Sequence, residues 1–150
     1  MKALVIGGMS GQVARALAAL NSAAFGIVVR GRPETNLAIP ATLSAAIADV
    51  QPDVVILSGA YTAVDQAESE PDLARAINTD GPTALGVACA TAGIPIIHLS
   101  TDYVFDGAKA GPYLETDPTA PQCVYGATKL GGETGVATSG AKHMILRVSW

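Results

Sequence analysis

Three residue types able to move a proton stand close together in the second half of the chain. Tyr125 and Lys129 lie four residues apart at the start of a stretch with helical character. That spacing puts both on one helical face, about 5–6 Å apart at Cβ. Thr101 belongs to a run of small polar residues, Ser100-Thr101-Asp102, which closes the hydrophobic segment Ile94-Pro95-Ile96-Ile97-His98-Leu99. A short apolar run of this kind reads as a buried strand. A strand-end hydroxyl, a phenol and an ammonium brought to one point could exchange a proton with a substrate oxygen. A free Tyr, with a pKa of about 10, relays protons poorly at neutral pH. An adjacent ammonium favours the phenolate, and a lowering of ~3 units would correspond to ~4 kcal/mol. An ordinary amphipathic surface pair has the same spacing, so the meaning of the pair depends on the elements around it.

Those elements alternate between strand and helix. Lys2 to Ile6 is a short apolar run, and Gly7-Gly8-Met9-Ser10-Gly11-Gln12-Val13-Ala14 follows it, opening a helix to about Leu20. Strand, glycine turn and helix are the context of a dinucleotide-binding loop, in which a pyrophosphate meets the free N–H groups of a helix N-terminus. Gly8, Gly11 and Ala14 fit G-x-x-G-x-x-A. Gly26 to Val29 is a second strand, ending in Arg30-Gly31-Arg32. An acidic residue there would bind a ribose 2′-hydroxyl. Two arginines point instead to a 2′-phosphate, hence NADPH, with NADH as the alternative. A helix over Thr42–Val50 leads to a third strand over Asp53–Leu57, apolar on both faces as a parallel strand should be. Ser58-Gly59-Ala60-Tyr61-Thr62 lies at its carboxyl end, where open parallel sheets bind ligands. Asp72 to Ala92 has helical character with Gly93 as its stop. A Gly- and Pro-rich loop spans residues 107–122, a helix runs from Tyr125 to about Ala137, and a fifth strand covers His143–Val148. Five strands alternating with helices predict an α/β fold with a doubly wound parallel sheet of the Rossmann type.

Composition narrows the function further. Apolar residues make up 49% of 150 residues and charged residues 15%, which suits one well-buried domain. A net charge of −4 without a basic cluster argues against nucleic acid and anionic membrane as partners, and no apolar run reaches a membrane span. Asp65, Glu68, Glu70 and Asp72 read as a solvated helix face, so no metal is expected. Cys89 and Cys123 match no metal spacing; Cys89 reads as a core filler, and a reducing, cytoplasmic setting is expected. His98 and His143 read as satisfied strand histidines rather than catalytic ones.

Four runs together resemble the dTDP-4-dehydrorhamnose reductases of the extended short-chain dehydrogenase/reductases. They are Tyr61-Thr62-Ala63-Val64-Asp65-Gln66-Ala67-Glu68, Ser100-Thr101-Asp102-Tyr103-Val104-Phe105-Asp106-Gly107, the Tyr125-x-x-x-Lys129 pair and Arg147-Val148-Ser149-Trp150. The resemblance implies transfer of hydride from NAD(P)H to C4 of dTDP-4-dehydro-L-rhamnose, giving dTDP-L-rhamnose. It makes Tyr125 the proton donor, Lys129 the residue that binds the nicotinamide ribose and tunes that Tyr, and Thr101 the third member. It assigns Gly8, Gly11, Gln12 and Val13 to the pyrophosphate loop, and Ala60, Tyr61, Thr62 and Leu99 to the cofactor beside Arg30. It assigns Thr101, Asp102 and Trp150 to the nucleotide-sugar substrate.

Some positions depart from the family pattern. Ala38 stands where an Asp contacts the adenine, Leu57 replaces an Asn, and Ala16 replaces a Glu that in some members helps hold Mg²⁺ at a dimer interface. A homodimer remains an expectation, without that metal bridge. Family members continue beyond the Ser-Trp with a sugar-binding part. Residues 1–150 are therefore expected to be the NAD(P)-binding domain of a truncated chain, in which cofactor binding survives better than turnover. Two further readings stay open. One is a non-catalytic NAD(P)-binding regulatory subunit, and the other is a nucleotide-sugar epimerase or dehydratase on the same scaffold.

Overall fold

The computed structural model describes residues 1–149. Five short strands, β1 (Lys2–Ile6), β2 (Gly26–Arg30), β3 (Val54–Leu57), β4 (Ile96–Thr101) and β5 (His143–Val148), form one parallel sheet in the order β2-β1-β3-β4-β5. The order reverses between β1 and β3, which is the switch point of a doubly wound sheet. Right-handed crossovers place α1 (Gln12–Ala18) on one face and α2 (Pro40–Val50), α5 (Gly81–Ala92) and α6 (Val124–Thr138) on the other. α2, α5 and α6 accordingly pack side by side.

β1 is apolar and buried on both faces, whereas β3 and β4 bury one face and leave the other partly exposed. Ala3, Leu4, Val5, Ile6, Val55 and Leu57 are buried, and the core continues through Leu43, Ile47, Leu85, Cys89 and Val136 of the helices. Burial pushes the Cys89 thiol up to about 12, which leaves it an inert core filler.

The segment expected as one helix over 72–92 is built in three pieces. α4 (Pro71–Arg75) leads into a π-helical turn, Ala76–Asp80, and then into α5. Pro82, at the start of α5, has no N–H for the carbonyl four residues back, at Asn78, and a break in that ladder is where π-turns form. The Asn78 carbonyl turns instead toward α6, where Gly132 sits so close that a Cβ would overlap it. A short helix α3 (Val64–Ala67) precedes α4, and a 3₁₀ turn, Asp102–Val104, extends β4. β4 runs two residues beyond the expected Leu99. Ser100 and Thr101 therefore pair as strand residues with Arg147 and Val148 of β5.

His98 lies fully buried on β4, and neither ring nitrogen has a hydrogen-bond partner. The expectation of a satisfied core histidine is thus half corrected: it is core, but unpartnered. Burial, with a smaller contribution from the Lys129 charge, pushes its pKa down to about 3 and keeps the ring neutral. His143 is exposed, with Nδ1 3.0 Å from the Ala141 carbonyl.

Candidate active site

The carboxyl ends of β1, β2 and β3 open into a cleft of about 340 Å³, walled by Gly7, Ser10 and Gly11 of the glycine loop, by Gly31 and Arg32 after β2, and by Gly59, Ala60 and Thr62 after β3. The loop lies flat because its glycines allow it. Gly8 has φ +70°, and Gly31 comes so close that a Cβ there would overlap the Gly8 backbone. Gly7 and Gly8 both donate to the Arg30 carbonyl, at 3.0 and 3.1 Å, tying the loop to the end of β2. Such a floor admits a ligand's phosphates close to main-chain N–H groups. Gln12 and Val13 begin α1 and lie outside this wall.

Both arginines line a hollow beside the cleft, and of the two only Arg32 also borders the cleft itself. Arg30 opens onto that hollow with Gly8 and Glu34, where its Nη2 donates to Asp49 of α2 at 3.1 Å. Leu37, the residue before Ala38, is buried in the core and also lines the cleft, which is apolar on that side. Leu57, at the Asn position, is fully buried.

Tyr61, between Ala60 and Thr62, does not line the cleft. Its N–H donates to Asn78 Oδ1 at 2.8 Å, and Asn78 Nδ2 donates back to its carbonyl at 3.0 Å. The Tyr61 phenol turns away to donate to Glu70 Oε2 at 2.6 Å, and Glu70 pushes its pKa up to about 12. Glu68 accepts the Val124 N–H at 2.8 Å at the start of α6. The acidic run therefore organises local structure. Among the described residues there is no group of three or more His, Cys, Asp or Glu side chains placed to hold a metal ion.

The proton-transfer residues meet where β4 ends. Thr101 is buried; its hydroxyl donates to Asp102 Oδ1 at 3.1 Å and accepts the Tyr103 N–H at 3.2 Å. Tyr125 stands in the first turn of α6, packed edge to face on Tyr103 at 5.6 Å between ring centroids. Cys123 caps that helix, its Sγ accepting the Gly126 N–H at 3.3 Å. Lys129 is buried one turn later, and its Nζ donates to the Leu99 carbonyl at 2.6 Å. The Leu99 backbone thus meets Lys129.

The electrostatics differ from the expectation that Lys129 lowers the Tyr125 pKa. Burial raises the Tyr125 pKa, Thr101 partly opposes that, and Asp102 adds to the rise. Burial also pushes Lys129 down to about 8, with Glu133 pulling the other way. In this geometry the ammonium serves the Leu99 carbonyl rather than the phenol.

Two buried polar residues, Asn78 and Glu133, escaped the sequence reading, which met Arg147 only as part of the Arg147-Val148-Ser149-Trp150 run. Asn78 joins the β3 loop to α6 by donating to Thr128 Oγ1 at 3.2 Å. Glu133 and Arg147 form a forked ion pair, with Arg147 Nη2 2.6 Å from Glu133 Oε2 and Nε 3.0 Å from Oε1. Glu133, one helical turn after Lys129, was the available signal for that pair. Asn78 had only the Pro82 four residues on. Trp150 lies outside the described residues.

Residues 1–150 match the family described as the RmlD substrate binding domain. The chain is 51% identical over 147 residues to a dTDP-4-dehydrorhamnose reductase of Sinorhizobium fredii, covering 98% of this chain and 50% of that one. It is 45% identical over 154 residues to the corresponding reductase of Burkholderia thailandensis, covering 100% and 50%. The crystal structure of a dTDP-4-dehydrorhamnose reductase from Clostridium acetobutylicum superimposes with a TM-score of 0.94 at 36% identity, covering 100% of this chain and 54% of that one. The dTDP-4-dehydrorhamnose reductase of Bacillus anthracis, solved in complex with NADP, gives 0.93 at 34% identity with the same coverage. The chain spans about half the length of the curated relatives it matches.

Proposed function

This chain belongs to the dTDP-4-dehydrorhamnose reductase family, and we propose that residues 1–150 are the NAD(P)-binding and proton-transfer domain of an enzyme that reduces the 4-keto group of dTDP-4-dehydro-L-rhamnose. The observation that carries this reading is that two sets of residues open on the same edge of one sheet. The glycine floor and Arg32 border a cleft at the ends of β1 to β3. Thr101, Tyr125 and Lys129 gather at the end of β4, the next strand.

The residues fit a nicotinamide dinucleotide. Gly8 has a conformation that side chains avoid, and Gly31 leaves no room for a Cβ, which suits close approach of a pyrophosphate. Gly11 would hold the pyrophosphate with Gln12 and Val13 behind it, Ala60 and Thr62 would border the adenosine side, and Arg32 with Arg30 would take a 2′-phosphate. When bound, the reduced nicotinamide supplies a hydride. Tyr125 is then the donor of the proton that completes the alcohol, handing its phenolic hydrogen to the substrate oxygen. Thr101 would hold that oxygen by turning to it the hydroxyl hydrogen that Asp102 Oδ1 accepts in the free chain. Lys129 leaves the Leu99 carbonyl for the ribose hydroxyls and the phenol, restoring positive charge beside Tyr125 as its proton departs.

A dTDP-sugar and NADPH, with NADH as second choice, are the small-molecule partners in this reading. The homodimer and the cytoplasmic setting belong to the same proposal. Both cysteines are free, as suits a reducing compartment, and among the described residues no helix is long and apolar enough to cross a membrane. The test is oxidation of NADPH on addition of dTDP-4-dehydro-L-rhamnose, by this chain and by a chain of the relatives' full length that contains it. Sugar-dependent oxidation in the longer chain is expected. Oxidation without dependence on the sugar, or none, contradicts the assignment.

A further inference from the structure

The buried carboxylate of Glu133 has no place in the mechanism above, yet it ties α6, which carries Tyr125 and Lys129, to β4, which carries Thr101. It lies on α6 one helical turn after Lys129 and two after Tyr125. It is 5% exposed. Its Oε1 accepts the Ser100 hydroxyl at 2.5 Å, from the strand residue beside Thr101. Both its oxygens accept from Arg147 of β5, and Ser100 and Arg147 are partners in the β4–β5 register. The Arg147 guanidinium also covers the Phe105 ring, 5.0 Å from its centroid. One carboxylate thus fastens α6 to two neighbouring strands at the level of the reacting residues.

We propose that Glu133 is a positioning residue: by gripping Ser100 and Arg147 together, it sets how deep α6 lies on the sheet and keeps the Lys129 ammonium charged and aimed at the end of β4. The physical reason is the cost of burying a charge. An ammonium at 2% exposure with a single carbonyl partner is unfavourable unless an opposite charge stands near. Glu133 is the carboxylate that opposes the effect of burial on Lys129. The other groups around α6 do not serve that purpose. His98 on β4 is neutral, the π-helical turn presents Asn78 and Thr79, Asp80 turns to Arg75 at 3.7 Å, Glu68 takes the Val124 N–H, and Asp102 bears on Tyr125. This role deepens the proposed function and rests on Lys129 being part of the site, but its test does not need turnover.

The experiment is a pH titration of the lysine ε-carbons of this chain by NMR, with Lys129 assigned by the loss of its signal in Lys129→Met. Glu133→Gln keeps the shape of the side chain and removes its charge. The Lys129 midpoint is expected to fall by about one pH unit, a tenfold loss of proton affinity, and to return most of the way in Glu133→Asp. An unchanged midpoint in a folded Glu133→Gln chain overturns the proposal. Should Glu133→Gln not fold, the double variant Glu133→Gln/Arg147→Met removes the pair together, which proteins tolerate better than half a pair, and a smaller fall in the same direction is expected there, because the opposing Arg147 charge leaves with the carboxylate. Loss of folding in both variants would make the pair a folding determinant and overturn the positioning role. Failure of the chain to bind NADPH, with the Lys129 midpoint moving as expected, would instead count against the proposed function alone.

Discussion

Lys129 Nζ lies 2.6 Å from the carbonyl oxygen of Leu99, so the ammonium that the Tyr125-x-x-x-Lys129 spacing places beside the phenol is held instead by a strand carbonyl. The consequence is visible at Tyr125, whose pKa is raised by burial rather than lowered by the lysine. A phenol in that state is a poor acid until the lysine is turned toward it.

Tyr125→Phe removes the transferable proton and little else, because the ring still packs on Tyr103. In a full-length chain, reduction of the keto sugar should fall by about 10²-fold or more, the range for losing a general acid. NADPH affinity should stay within a few-fold. Steady-state kinetics with a parallel binding titration checks this; near-normal turnover would remove Tyr125 from the mechanism.

The arginines should divide the work of cofactor choice unequally. Arg32 lines the cleft, while Arg30 is already paired with Asp49. Arg32→Ala should weaken NADPH by about tenfold with little effect on NADH, since a charged hydrogen bond to phosphate is worth about 1.5–3 kcal/mol. Arg30→Ala should shift the same ratio in the same direction but less. Equal losses for both cofactors would end the 2′-phosphate assignment.

His98 should make the fold sensitive to acid. Its folded pKa is about 3 against an ordinary 6.5, so the unfolded chain binds the proton more readily. The resulting stability is fully present above pH 6.5 and is lost as pH falls from there toward 3. At 1.36 kcal/mol per unit the loss reaches up to about 5 kcal/mol. His98→Leu also removes two unpartnered buried nitrogens, and it should flatten the fall of melting temperature between neutral and mildly acidic pH. An unchanged slope would show that other groups govern acid unfolding.

Gly132→Ala should be costly for a helical position. The added methyl overlaps the Asn78 carbonyl and pushes α6 off the π-helical turn. A loss of about 2–4 kcal/mol is expected, which for a chain of this size lowers the melting temperature by roughly 5–15 °C. A melting temperature within a degree or two of the parent would mean that α6 moves aside freely.

Much of the fold could be read from local pattern. Val54–Leu57 is apolar on both faces, which marks it as a parallel strand although one face is only partly covered, and the glycine loop follows β1 directly. Thr101, Tyr125 and Lys129 stand out by type and spacing, and they lie close to the end of one strand. What escaped depends on contacts between distant segments. Asn78 matters because a proline four residues on opens the helical ladder and frees both its carbonyl and its side chain. Glu133 and Arg147, 14 residues apart, look like ordinary surface charges until β5 lies beside β4. The direction of the Tyr125 shift follows from where the Lys129 ammonium points, and spacing along a helix does not encode that.

The most direct test of the central claim is a fluorescence titration of this 150-residue chain with NADPH and, separately, with NADH. Saturable binding of both, tighter for NADPH, is the expected result and agrees with a dinucleotide site in the cleft bordered by Gly7, Gly11, Gly31 and Arg32. Binding of neither would contradict the account, because a folded glycine floor with Arg32 at its side would then have failed at the one task its geometry fits.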